Sequence, residues 1–128
     1  MDLNWYNTLN KPAFTPPSFV FAPAWAILYL MIFLSFVVFM VTKTEQDKTL
    51  GIWLFLTQLL LNFLWSPVFF YWKNISLSLV IIILLLAFLL LAIINFFKVS
   101  KLSAILLIPY FLWICYAAYL NYGFMMMN

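Results

Sequence analysis

Four long apolar runs are the feature that most constrains how this chain can fold. They cover roughly residues 19–41, 50–72, 75–97 and 102–127. Each run is longer than the ~18 apolar residues that indicate a membrane-spanning helix. The sequence therefore predicts an all-α integral membrane bundle of about four transmembrane helices, formed as one domain over residues 1–128, with residues 1–18 as a loop before the first span.

The composition excludes a water-soluble fold. Hydrophobic residues make up 69% of the chain and charged residues only 7%, whereas soluble domains carry ~25% charged residues. The net charge of +3 comes from lysines scattered at the ends of the runs. Because these lysines form no patch, the charge gives no support for nucleic-acid binding. The first run is too long for a secretory signal, and no net positive charge precedes it.

The connections between the runs are only a few residues long, which predicts that successive helices are antiparallel neighbours. Four spans place both termini on the same side of the membrane. The positive-inside rule favours a cytoplasmic position for the connections that hold more lysines, which are Lys43, Lys48, Lys98 and Lys101, against Lys11 and Lys73 on the other side. We expect a multi-pass protein of the cell membrane.

Few side chains in the apolar runs can carry acid–base or metal chemistry. The chain has no His and no Arg, a single cysteine at Cys115, and acids only at Asp2, Glu45 and Asp47, outside the runs. General acid–base catalysis needs a titratable group in a cleft, and proton-coupled transport needs one within the membrane. The sequence therefore disfavours hydrolysis, metal catalysis and carboxylate-coupled transport, and it predicts no metal site.

The second run carries a polar stripe. Gln58, Asn62 and Ser66 recur every four residues, which places them on one helical face next to Trp65. Amides are costly in hydrocarbon unless they are paired, so this face is predicted to point into the bundle. The stripe has two interpretations: hydrogen bonding between helices, or the polar wall of a ligand pocket.

Aromatic residues mark two further helical faces. In the first run one face holds Trp25, Tyr29 and Phe36. In the last run one arc of roughly 80° holds Tyr110, Trp113, Ala117 and Asn121. Trp and Tyr usually gather at membrane interfaces, but Trp113 lies about eleven residues, or roughly 16 Å, into its run. Core packing explains this position, and so does a flat ligand beside the small Ala117.

The stretch of residues 5–23 is rich in proline and aromatic residues. Pro12, Pro16 and Pro17 exclude a helix there. Such a loop could anchor the chain at the interface or cover a site inside the bundle.

Three blocks of the sequence resemble the TspO/MBR family, the tryptophan-rich sensory proteins that include the peripheral benzodiazepine receptor. They are WYNTLNKPAFTPPSFVFAPAW at residues 5–25, QLLLNFLWSPVFF at 58–70 and PYFLWICYAAYLN at 109–121. The blocks resemble the family's first loop with the helix that follows it, its third helix and its last helix, in the same order.

The resemblance implies a helical bundle whose pocket is covered by the first loop. Family members bind porphyrins and benzodiazepine-type drugs. Membership implies a pocket lined by Trp25, Asn62, Trp65, Trp113 and Ala117, with Tyr6 and Pro16 in the covering loop. The polar edge of a bound macrocycle would be oriented by Gln58, Asn62 and tyrosines such as Tyr29.

The chain departs from the family pattern in two ways. Family members usually carry a helix before the Trp-Tyr loop, but only four residues precede Trp5. We therefore expect an exposed bundle face, which a homodimer could cover. The last run also lacks the Lys or Arg of the sterol-consensus pattern, so sterol binding is not predicted.

The leading functional hypothesis is a membrane protein that binds a tetrapyrrole such as protoporphyrin, with a role in transport, sensing or stress regulation and with no cofactor. The alternatives are an enzyme that degrades porphyrin through Trp25 and Trp113, a small four-helix transporter, and an assembly protein without a ligand. A proton-coupled multidrug exporter needs a membrane-embedded Glu, and the runs contain none.

Overall fold

The computed structural model describes residues 21–127 of the chain, and within that range it contains four α-helices and no strand. They are α1 (Phe21–Val41), α2 (Thr49–Phe70), α3 (Ile75–Phe97) and α4 (Lys101–Met127). All four are long and apolar enough to cross a membrane. The prediction of an all-α, multi-pass bundle of four transmembrane helices is confirmed.

The ends of the helices agree with the predicted spans to within two residues. The largest difference inside the described range is at α2, which ends at Phe70 and not at residue 72. There the backbone N–H groups of Tyr71 and Trp72 both donate to the Pro67 carbonyl. Lys73 then takes a left-handed conformation with φ of 55°, and the chain turns into α3. The loop predicted for residues 1–18 lies outside the described residues.

Side chains in the connections satisfy backbone groups that the helix ends leave unpaired. Asn74 accepts from the Leu77 N–H at the start of α3, and Ser100 does the same for Ser103 in α4. Before α2, Asp47 accepts from the Thr49 N–H, and this hydrogen bond lowers the pKa of the Asp47 carboxyl. At the end of α1, the Lys48 ammonium donates to the carbonyls of Met40 and Thr42.

The most extensive backbone contacts between helices join α2 to α3, α3 to α4, and α1 to α4. Large side chains bridge α1 and α2, as where the rings of Phe36 and Phe55 stack with centroids 4.6 Å apart. The third helix packs against both α2 and α4. Its inner face is fully buried at Ile82 and Leu89.

A group of phenylalanines fills the end of the bundle where α1 ends and α2 begins. Phe39 and Phe96 stack at a centroid distance of 3.9 Å and an interplanar angle of 8°, and Phe55 stacks on Phe96 at 5.9 Å. Gly51 allows this contact, because a Cβ there would lie 2.8 Å from the ring of Phe39. This region, made of Phe36, Phe39, Phe55 and Phe96, is called the phenylalanine half below.

Candidate ligand-binding site

Tryptophan and tyrosine rings meet in the other part of the bundle, towards the end of α2. The indole of Trp25 on α1 contacts Trp113 on α4 edge to face, with centroids 6.2 Å apart and an interplanar angle of 84°. It also lies 5.4 Å from the ring of Tyr29 and 6.5 Å from that of Tyr110. Trp25 is therefore the centre of an aromatic contact between the first and last helices.

A chain of hydrogen bonds runs from this group into the bundle. The Tyr29 hydroxyl donates to Asn62 Oδ1 at 2.6 Å. Asn62 Nδ2 donates to the Tyr110 hydroxyl at 2.9 Å, which in turn donates to Gln58 Oε1 at 2.8 Å. This hydrogen-bond chain joins α1, α2 and α4 and ends at Gln58, whose buried Nε2 has no hydrogen-bond partner among residues 21–127.

A second polar cluster surrounds Asn121 on α4. Its Oδ1 accepts from the indole N–H of Trp65 at 2.9 Å and from the Ser78 hydroxyl at 2.9 Å. Its Nδ2 donates to the carbonyl of Ile75 at 3.0 Å. Asn121 therefore ties α4 to both α2 and α3, and it fixes the direction in which the Trp65 ring points.

Two small cavities lie between these groups, and Trp25 and Trp65 line both of them. The first holds about 30 Å³ and is lined mainly by aromatic side chains, among them Trp113, Tyr116 and Phe124, with Ala117 and Asn121. The second holds about 110 Å³ and adds Tyr29, Asn62 and Ser66. The two cavities together thus combine indole faces with two amides and three hydroxyls. We call the region around them the tryptophan half; it also includes both polar clusters.

A larger groove of about 480 Å³ lies on the outside of the bundle between α1 and α4. It is lined by Ala24, Ile27, Leu28, Pro109, Leu112, Trp113 and Tyr116. Trp113 and Tyr116 line this groove as well as the first cavity. The same two side chains therefore separate the interior from the surface that faces lipid.

The model of the TspO/MBR family matches residues 1–127 of this chain. The chain belongs to the TspO/MBR family. Curated family members are similar over almost its full length. The tryptophan-rich protein TspO of Archaeoglobus fulgidus is 40% identical over 97% of this chain and 80% of that protein. The protein of the same name from Chlorobaculum tepidum is 37% identical over 97% of this chain and 79% of that protein. The human translocator protein is 34% identical, covering 94% of this chain and 72% of that protein.

The TspO/MBR site residues predicted from the sequence fall into three groups. Trp25, Tyr29, Asn62, Trp65, Trp113 and Ala117 all line one or both cavities. Gln58 is fully buried behind them and lines neither cavity, so it reaches this site only through Tyr110. Tyr6 and Pro16 lie outside the described residues. That these residues bind a ligand in this TspO/MBR protein stays a prediction.

Some residues of the site were not predicted as ligand-binding. Tyr110 and Asn121 stood out only as members of a helical arc, yet they form the centres of the two polar clusters. Phe69 and Phe70, at the end of α2, line the first cavity with Leu120 and Phe124 of α4. The sequence could not mark the apolar residues of the site, because lipid and a neighbouring helix are equally apolar surroundings for such a side chain.

Proposed function

We propose that this TspO/MBR protein binds a flat, largely apolar tetrapyrrole such as protoporphyrin between Trp25 and Trp113, in a transport, sensing or stress-regulating role. The observation that carries the proposal is the meeting of these two indoles at the boundary of both cavities and the outer groove. Aromatic rings stack on flat ligands, and a few convergent polar groups orient them.

The size of the cavities adds a requirement to this proposal. Pockets for drug-sized ligands hold ~300–1,000 Å³, whereas the two cavities hold about 30 and 110 Å³. A macrocycle therefore fits only if the indoles of Trp25 and Trp113 move apart. The outer groove next to Trp113, at about 480 Å³, offers a route from the lipid.

Absorbance titration of the purified protein with protoporphyrin tests the proposal. We expect saturable binding, weakened by up to about tenfold in Trp25→Phe and Trp113→Phe, since each loses part of a stacking surface and tenfold corresponds to 1.4 kcal/mol. Trp53→Phe is the matched control, because Trp53 is 65% exposed on the outer face of α2.

Two results would contradict the proposal: no saturable binding by the parent, or equal binding by the parent and both pocket variants. Extracting the pigment after the titration also tests the enzymatic alternative. Unchanged protoporphyrin fits a binding protein, and pigment with an altered spectrum indicates breakdown.

The homodimer remains part of the proposal. Ala22 and Ala26 are exposed one turn apart on α1, and small residues let helices approach closely in lipid. Mass measurement in mild detergent decides between a dimer and a monomer.

A further inference from the structure

The two buried asparagines of the tryptophan half differ in whether their hydrogen bonds can change direction. Asn121 accepts from an indole N–H, which can only donate, and it donates to the Ile75 carbonyl, which can only accept. Its amide orientation is therefore fixed. Asn62 lies between the hydroxyls of Tyr29 and Tyr110, and a hydroxyl can donate or accept.

The inner end of the hydrogen-bond chain, at Gln58, also allows either direction of hydrogen bonding. The Tyr110 hydroxyl donates to Gln58 Oε1, and Gln58 Nε2 has no partner in the described part of the chain. A Gln amide presents a donor on one side and an acceptor on the other. Rotating both amides by half a turn exchanges the positions of their oxygen and nitrogen atoms. With both hydroxyls reversed, three hydrogen bonds again join the same pairs of residues, each in the opposite direction. Each direction leaves one atom of Gln58 unpaired.

The two directions present different groups to the second cavity. In one direction the Tyr29 hydrogen points to Asn62, so only the lone pairs of its oxygen are available to a ligand. In the other direction Asn62 donates to the Tyr29 oxygen, and the Tyr29 hydrogen is available. Tyr29 lines the second cavity, so a ligand in that cavity can contact the hydroxyl whose role as donor or acceptor depends on the direction of the hydrogen-bond chain.

We propose that the Tyr29 hydroxyl binds the polar edge of the ligand, and that the chain Tyr29–Asn62–Tyr110–Gln58 reverses as a unit to match that edge. The hydroxyl donates to ligands whose edge carries acceptors and accepts from ligands whose edge carries donors. The inference rests on the proposed function and adds a ligand class to it: flat aromatic molecules with either kind of polar edge. Gln58 and Tyr110 are positioning residues.

The Gln58→Leu variant tests the reversal from a residue that lines neither cavity. Without Gln58, Asn62 is the acceptor that the hydrogen-bond chain still offers to the Tyr110 hydroxyl. Because a buried unpaired donor is costly, the Tyr110 hydroxyl should then donate to Asn62. This holds the chain in the direction that leaves the Tyr29 hydrogen available. The probes are protoporphyrin dimethyl ester, whose edge only accepts, and a porphyrin with two alkylammonium arms, whose edge only donates.

We expect the parent to bind both probes, and Gln58→Leu to raise the ester-to-ammonium affinity ratio by about tenfold, the factor for 1.4 kcal/mol. Tyr110→Phe should move the ratio the same way, since the Asn62 N–H then has only the Tyr29 oxygen left. In a Tyr29→Phe background the shift should vanish. Ser35→Ala, which removes a hydrogen bond to Ser103 in the other half, should leave the ratio unchanged.

The possible failures are distinguishable. If the parent binds neither probe, the proposed function is wrong and the inference falls with it. If the parent binds both and neither Gln58→Leu nor Tyr110→Phe moves the ratio, only the reversal is refuted. A shift that persists without the Tyr29 hydroxyl would refute the role of Tyr29. Tyr110→Phe provides the answer if Gln58→Leu does not fold.

Discussion

The two halves of the bundle use aromatic rings in different ways. In the phenylalanine half, Phe39 and Phe96 lie face to face with centroids 3.9 Å apart. In the tryptophan half, Trp25 and Trp113 meet edge to face at 6.2 Å. Phenylalanine has no polar atom, so its rings can stack wherever shape allows. Buried indoles and phenols need hydrogen-bond partners. Asn62 supplies one to Tyr29, and Asn121 supplies one to Trp65. Tyr29 and Trp65 both have a cavity beside them.

This difference indicates that the phenylalanine half contributes mainly to stability and the tryptophan half also to ligand binding. The phenylalanine half brings α1, α2 and α3 together through Phe39, Phe55 and Phe96. The tryptophan half has bonds that cross between helices and rings with free space beside them. Changes in the first half should therefore affect stability, and changes in the second half should affect ligand binding as well. The following predictions test that separation.

The largest effect on stability is expected from Phe39→Ala. Phe39 is fully buried and stacked on Phe96. In soluble cores such a truncation costs about 3–5 kcal/mol. Lipid is as apolar as the core, so the transfer part of this cost is smaller in a membrane. We expect the free energy of unfolding in mixed micelles to fall by about 2–3 kcal/mol, with protoporphyrin affinity within twofold of the parent.

The control for Phe39→Ala is Phe33→Ala, since Phe33 is 63% exposed on the same helix. That variant should unfold like the parent. A loss of ligand affinity in Phe39→Ala under conditions where it is folded would show that the halves are coupled.

The contrast between Phe39 and Phe33 also shows what the sequence could and could not predict. The four spans follow from composition, because hydrocarbon requires helices of about this length and apolarity. Which phenylalanine is buried does not follow, since lipid and protein interior are equally apolar. Polar residues can be assigned to the inside of the bundle, because lipid gives them no hydrogen-bond partner. The inward direction predicted for Gln58 and Asn62 is confirmed by their burial.

The partners of the polar residues could not be predicted either. The two interpretations of the stripe, hydrogen bonding or pocket wall, divide between its members: Gln58 bonds only within the bundle, whereas Asn62 also lines a cavity. This division depends on how each helix is rotated and shifted against its neighbours. Ser78 is one of two serines in the first turn of an apolar helix, and nothing in the sequence indicated that it contacts Asn121.

An intermediate effect is expected from Asn121→Leu. The change leaves the Trp65 indole N–H without its acceptor, whereas the Ser78 hydroxyl can still donate to the Ile75 carbonyl at 2.7 Å. Leaving buried donors unpaired costs about 1–3 kcal/mol, so we expect the free energy of unfolding to fall by about 1–2 kcal/mol. Because Trp65 lines both cavities, protoporphyrin affinity should fall too, by several-fold.

Tryptophan fluorescence separates this mechanism from a general loss of stability. The emission of Trp65 should change in Asn121→Leu, and the difference between parent and variant should disappear in a Trp65→Phe background. An unchanged emission together with full ligand affinity would mean that Asn121 does not position Trp65.

The smallest effect is expected from Ser35→Ala, which removes a hydrogen bond made inside the bundle but away from both cavities. The Ser35 hydroxyl donates to the Ser103 carbonyl at 2.6 Å and so joins α1 to α4. Hydrogen bonds between transmembrane helices contribute ~0.6 kcal/mol on average, because the unfolded chain finds other partners within the membrane. We expect the free energy of unfolding to fall by about 0.6 kcal/mol and the affinity for protoporphyrin to stay unchanged.

Sites without shared partners behave additively, so the free energy of unfolding of the double variant Ser35→Ala with Asn121→Leu should fall by the sum of the two single effects. A double variant that departs from this sum by more than about 0.5 kcal/mol would show that the Ser35 bond and the tryptophan half respond as one unit. In that case the separation between the two halves would have to be abandoned.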